Sequence, residues 1–139
     1  MPRRKPIDRL REICLALPEA TEKAAWGEPT FRVGGKMFVM FSNNHHNDGR
    51  IAAWCNAAPG TQDLLVRSDP ERFFVPPYQG TRGWVGVRLE DGRVDWAQAA
   101  EIVEEAYRMV APKQLLALLD KLYKGRQRLG ASRRIRPPF

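Results

Sequence analysis

The sequence predicts an α+β fold: a mainly antiparallel sheet of four to five strands with helices at both ends packed on one of its faces. Three observations carry this prediction. Residues 7–17 and 95–123 repeat apolar residues at helical spacing, residues 30–56 alternate short aromatic and β-branched runs with turn residues, and Trp84 to Leu89 alternates cleanly.

In Pro6 to Leu17, the residues Ile7, Leu10, Ile13, Cys14 and Leu17 trace one helical face, Pro6 suits the first turn and Pro18 stops the helix. PEATEKAAWGEP then reads as a connection, with Trp26 expected to anchor it under the sheet. Strands follow at Thr30 to Val33, Lys36 to Ser42 and Arg50 to Asn56, joined by Gly34-Gly35 and by the polar loop Asn43 to Gly49, as an antiparallel meander. Pro59 to Arg67 reads as a short helix with Thr61 as its cap and Leu64 and Leu65 inward. In SDPERFF, Ser68 or Asp69 caps a turn that Pro70 begins. Trp84 to Leu89 is a further strand, turned by Asp91-Gly92. Asp95 to Val110 is the strongest helix, with a capping box of Asp95 and Gln98 and an inward stripe of Ala99, Ile102, Val103, Ala106, Met109 and Val110. A last helix, Pro112 to Tyr123, carries Leu115, Leu116, Leu118, Leu119 and Leu122.

The stretch TFRVGGKMFVMF puts two glycines and a lysine inside an apolar run. A phosphate-cradling loop needs glycines four residues apart, then Lys and Ser/Thr, and a following helix whose amides face the phosphates. Here the glycines are adjacent, Met37 follows Lys36, and the apolar run after it is short. Gly34-Gly35 is therefore the tip of a type I′ hairpin, where both central residues need positive φ.

The 139 residues suit one domain, expected over residues 1–120, followed by a basic and flexible tail over 121–139. The formal charge is +7, and the tail holds seven basic residues and no acid, which leaves 16 basic and 16 acidic groups in the rest. The body is neutral, so the excess belongs to the tail, where it serves solubility or phosphate binding. No apolar run approaches the ~20 residues that span a bilayer, and MPRRKPIDRL lacks a signal-peptide core, so a cytoplasmic protein without a membrane partner is expected. Cys14 and Cys55 are expected as reduced, buried thiols.

Catalytic chemistry finds little support. His45 and His46 are adjacent, without metal-ligand spacing to either cysteine. Glu101, Glu104 and Glu105 fall on the solvated face of the long helix, and no nucleophile elbow or Ser/His/Asp set can be placed. No catalytic residue, metal or cofactor is assigned. Strand parity says more. It expects Phe31, Phe38 and Met40 on one face, with Thr30, Arg32, Val39 and Phe41 on the other. Ile51, Ala53, Cys55, Val85, Val87 and Leu89 look inward, which leaves Arg32, Arg50, Trp54, Asn56, Trp84, Gly86 and Arg88 on an open face. Such a face can offer guanidinium groups to phosphates and indoles to bases or another planar ligand. Equally, the arginines can stack on the aromatics and cover the sheet with no ligand.

AAWGEPTFRVGGKMFVMF, DPERF and YQGTRGWVGVRLEDGRVDWAQAAEIVEEAYRMVAPKQLL resemble the MmcQ/YjbR family of small bacterial proteins, over about Ile7 to Leu119. The resemblance implies a curved antiparallel sheet of double-wing type whose concave side meets DNA, and it supplies no catalytic residues. The expected function is a non-enzymatic, monomeric DNA-binding module. Its binding residues would be Arg32, Lys36, Arg50, Trp54, Arg82, Trp84 and Arg88, and its tail phosphate contacts Arg126, Arg128, Arg133, Arg134 and Arg136. The alternative is a small-molecule or protein partner on the same face.

Overall fold

The computed structural model describes residues 5–44, 47–90 and 94–129, the last four by backbone alone. His45, His46, the Asp91-Gly92 turn and the side chains of the five tail arginines lie outside the described residues.

Along the chain come α1 (Pro6–Leu15), β1 (Thr21–Ala25), β2 (Glu28–Val33), β3 (Lys36–Asn43), β4 (Ile51–Cys55), α2 (Thr61–Ser68), β5 (Phe73–Phe74), β6 (Val85–Arg88), α3 (Trp96–Val110) and α4 (Lys113–Leu129). The strands form one open sheet in the order β1-β2-β3-β4-β6-β5, with every neighbouring pair antiparallel. The predicted α+β class holds, with six strands rather than four or five.

The two additional strands carry little sequence signal. β1, TEKAA, is an edge strand with only Ala25 partly buried, so it is held by its ladder to β2 rather than by an apolar face. β5 is two residues long, too short to show a period. The β1–β2 turn also corrects Trp26, which is 65% exposed at φ 53° beside Gly27 at φ 76°. Trp26 is the tip of a tight hairpin, not an anchor under the sheet. Gly34 and Gly35, at φ 57° and 78°, make the predicted positive-φ turn between β2 and β3.

One face of the sheet packs against α1, α3 and α4. Leu10 and Cys14, then Ala99, Val103, Ala106 and Tyr107, then Leu119 bury against Phe31, Val33, Val39, Phe41, Ala53, Cys55, Val85, Val87 and Leu89. The expected parity of β3 is corrected here. Arg32 pairs with Met37 but Phe31 with Val39, so Phe38 is the extra residue of a β-bulge. Beyond the bulge the alternation inverts: Val39 and Phe41 join the helix-covered core, while Met40 turns to the opposite face. Phe38 itself stays in the main core, edge-on to Tyr107 with ring centroids 5.5 Å apart.

Asp95 caps α3 by accepting from the Gln98 backbone N–H at 3.0 Å, but the Gln98 side chain accepts from Arg72 instead of closing the box. In the inward stripe Met109 is exposed, and Tyr107 is buried with its hydroxyl donating to Pro18 O at 2.7 Å. Gly60, in the left-handed region, precedes α2 where Thr61 was expected to cap it, and Leu64 points out. α4 runs on to Leu129, so the segment expected as a tail from residue 121 begins inside a helix. No helix among the described residues is long and apolar enough to cross a membrane.

Candidate functional site

The face of the sheet that no helix covers is built from a single cross-strand row. Thr30 pairs with Met40, Met40 with Trp54, Trp54 with Gly86, and Gly86 with Phe74, which sets their side chains on one side. Met40, Ala52, Trp54, Phe74 and Trp84 bury one another in a second, smaller apolar cluster, with Met37 at its border. Gly86 is needed there, because a Cβ would stand only 2.4 to 2.6 Å from three carbons of the Phe74 ring. Trp54 and Trp84 lie on the predicted face but are 2% and 6% exposed, so neither offers a stacking platform.

The predicted arginines divide into two groups. Arg50 lies 4.1 Å over the Phe74 ring centroid and 3.9 Å from an Asp48 carboxylate oxygen. Arg88 donates to Glu90, whose other carboxylate oxygen accepts from the Ile51 N–H at 2.6 Å. These two cover and pin the upper sheet. Arg32, Lys36 and Arg82 make no ion pair with any described residue. Arg32 donates from Nε to Thr30 Oγ1 at 3.2 Å, which leaves its terminal nitrogens available.

Lys36 and Arg82 stand at a cleft of about 420 Å³, lined also by Met37, Asn56, Gln79, Trp84 and Val110. Arg32 lies next to it, opposite Met37. The cleft joins the start of β3, the end of β4, the last turn of α3 and a 3-10 turn at Gln79–Arg82. That turn is bracketed by Tyr78 and Gly83, both at positive φ, and Gln62 of α2 holds it by donating to Gly80 O and Trp84 O at 2.9 and 2.6 Å. Gly80 allows the turn to lie on Val75, whose Cγ1 would be 2.4 Å from an added Cβ. Sequence reasoning singled out Lys36, Arg82 and Trp84 as binding residues; it put Asn56 on the open face by strand parity without assigning it a role, and it did not single out Gln79. Gln79 comes from a loop without periodic signal, and only the tertiary fold makes the two amides neighbours.

A larger groove of about 830 Å³ lies between α2 and the start of α3 and carries Asp63, Asp95 and Glu101. Arg67 in it is engaged by Asp63 at 3.0 Å. None of the predicted site residues lines it. Among the described residues no three His, Cys, Asp or Glu side chains cluster as metal ligands. Cys14 and Cys55 are free and buried. Burial pushes the Cys55 thiol up to about 12 and raises Cys14 further, helped by the charges of Cys55 and Glu22.

An open antiparallel sheet with helices on one face and a small mixed-polarity cleft at one end defines a small α+β protein of binding type. Residues 15–109 match the YjbR family model, and the chain belongs to the YjbR family. A solved structure, protein DR2400 of Deinococcus radiodurans with its DUF419 domain, is similar at 22% identity over 79% of this chain and 83% of that one, with a TM-score of 0.65. That likeness extends the agreement in fold. No curated protein matches the sequence.

Proposed function

We propose that this protein is a non-enzymatic DNA-binding module that holds the phosphate backbone with Arg32, Lys36 and Arg82 at one end of its helix-free sheet face. The observation that carries the reading is the division of the cations: Arg50 and Arg88 are engaged by internal partners, while these three have no ion pair among the described residues. Buried indoles argue against base stacking as the source of affinity, and phosphate contact needs none. The basic C-terminal segment adds non-specific phosphate contacts at a distance. α4 starts beside the Gly34 turn, where Pro112 packs, and runs back along α3, bringing Leu119 and Leu122 to Ala100 and Glu104. Its 17 residues carry the chain ~25 Å away from the cleft.

Duplex binding measured across a salt series tests this reading. Removing residues 130–139, with Arg133, Arg134 and Arg136, should lower the slope of log K against log salt by about 2 to 3. Lys36→Ala with Arg82→Ala should lower it by about 2. Absence of duplex binding at low salt refutes the proposal.

A further inference from the structure

Four polar side chains of the cleft are uncommitted. Lys36 and Arg82 have no ion pair with a described residue, and the side-chain amides of Asn56 and Gln79 form no hydrogen bond with one. The Gln79 side-chain amide oxygen, Oε1, is buried without a partner among the described residues. Arg50 and Arg88 of the same face, by contrast, are engaged by internal partners. Polar groups left unpaired beside an apolar wall are costly unless a ligand or water meets them. The wall here is Met37, Trp84 and Val110, and the volume of about 420 Å³ falls within the ~300–1,000 Å³ of small-molecule sites.

These groups specify a ligand. Two cations at the mouth require an anionic group such as a phosphate. Two amides, each with a donor and an acceptor, match the edge of a heteroaromatic base, as Asn and Gln do when they read adenine. The flat body between them borders Met37, Val110 and the small exposed edge of Trp84, without an indole stack. We infer that the cleft takes one unpaired nucleotide, with its phosphate on Lys36 and Arg82 and its base edge on Asn56 and Gln79. The source is either a free mononucleotide or an unpaired position in a DNA strand. The inference rests on the phosphate-binding reading of the same site and narrows it. The hairpin at Gly34-Gly35 provides no amide cradle for phosphates, and a cleft built from side chains needs none.

Calorimetric titration of the full chain with adenosine 5′-monophosphate, ribose 5-phosphate and adenosine tests the inference. The mononucleotide should bind about tenfold or more tightly than either fragment, because each lacks one half of the contacts. Lys36→Ala and Arg82→Ala should each weaken it by about tenfold. Asn56→Ala with Gln79→Ala should reduce it to the level of ribose 5-phosphate, whereas Arg88→Ala should change nothing. Single-stranded DNA should bind more tightly than the duplex if the nucleotide comes from a strand, and a bound mononucleotide with no strand preference points to a free metabolite. A mononucleotide that binds no better than ribose 5-phosphate, or not at all, overturns the cleft assignment. The phosphate reading would survive that result if duplex DNA still binds with the expected salt slopes.

Discussion

Replacing Gly86 by alanine probes the feature that closes the helix-free face. Gly86 sits in β6 between Trp54 of β4 and Phe74 of β5, and an added Cβ would lie 2.4, 2.5 and 2.6 Å from Cζ, Cε1 and Cε2 of the Phe74 ring. Real contacts of this kind stay above 3.0 Å, so the ring has to move. β5 is a two-residue edge strand and can yield, but moving it opens the Met40, Trp54 and Trp84 cluster and withdraws Phe74 from the Arg50 guanidinium. Overpacking costs about 1–3 kcal/mol and the lost cation–π contact about 0.5–1. The sum, about 1.5–4 kcal/mol, does not exceed the roughly 3–5 expected for deleting the phenyl ring outright. At about 4 °C per kcal/mol the melting temperature should fall by about 6–16 °C. Denaturant unfolding followed by tryptophan fluorescence measures the loss. In a Phe74→Ala background the same substitution should cost less than about 0.5 kcal/mol, since nothing remains to collide with. A single-mutant loss below about 0.5 kcal/mol, or additivity of the two changes, would refute the packing described for this face.

Phe38→Ala should cost about 3–5 kcal/mol in the same assay, because the ring is wholly buried against Tyr107, and a loss below about 1 would mean the bulge is misplaced. Gly34→Ala, at φ 57° and with Pro112 carbons 3.4 Å from the added Cβ, should destabilise by about 1 kcal/mol, whereas Lys36→Ala should leave stability nearly unchanged. Folding raises the pKa values of Cys14, Cys55 and Tyr107, chiefly through burial, so the unfolded chain ionises first. Stability from these groups is complete below about pH 8 and is lost as the pH rises past about 9, which urea midpoints between neutral and alkaline pH will show. Both thiols should resist alkylation in the native protein and react on unfolding, and rapid native labelling would contradict their burial.

Much of the fold was legible because it rests on local rules. The period of α3, the Asp95 cap and the Gly-Gly hairpin each follow from a few neighbouring residues, and each is present, although Met109 of the stripe is exposed and Gln98 does not close the capping box. The failures arose where long-range structure decides. The parity of Met40, Val39 and Phe41 depends on a bulge at Phe38 that inverts the alternation and leaves no mark in the sequence. β1 owes its existence to its partner strand, and Trp26, apolar and therefore expected inside, is spent on a turn that must project. The site was half legible. Parity put Arg50, Trp54, Trp84 and Arg88 on the correct face, but parity says nothing of depth, and the side chains on that face bury each other. Asn56 and Gln79 meet only because the end of β4 and the 3-10 turn converge beside Trp84.

Amide chemical-shift mapping of the full chain, titrated at low salt with a short DNA duplex and with the matching single strand, tests the binding account most directly. The account predicts saturable shifts concentrated at Arg32, Lys36, Asn56, Gln79 and Arg82, suppressed by salt and absent along the groove between α2 and α3. Shifts confined to that groove, or no shifts with either DNA, would contradict it.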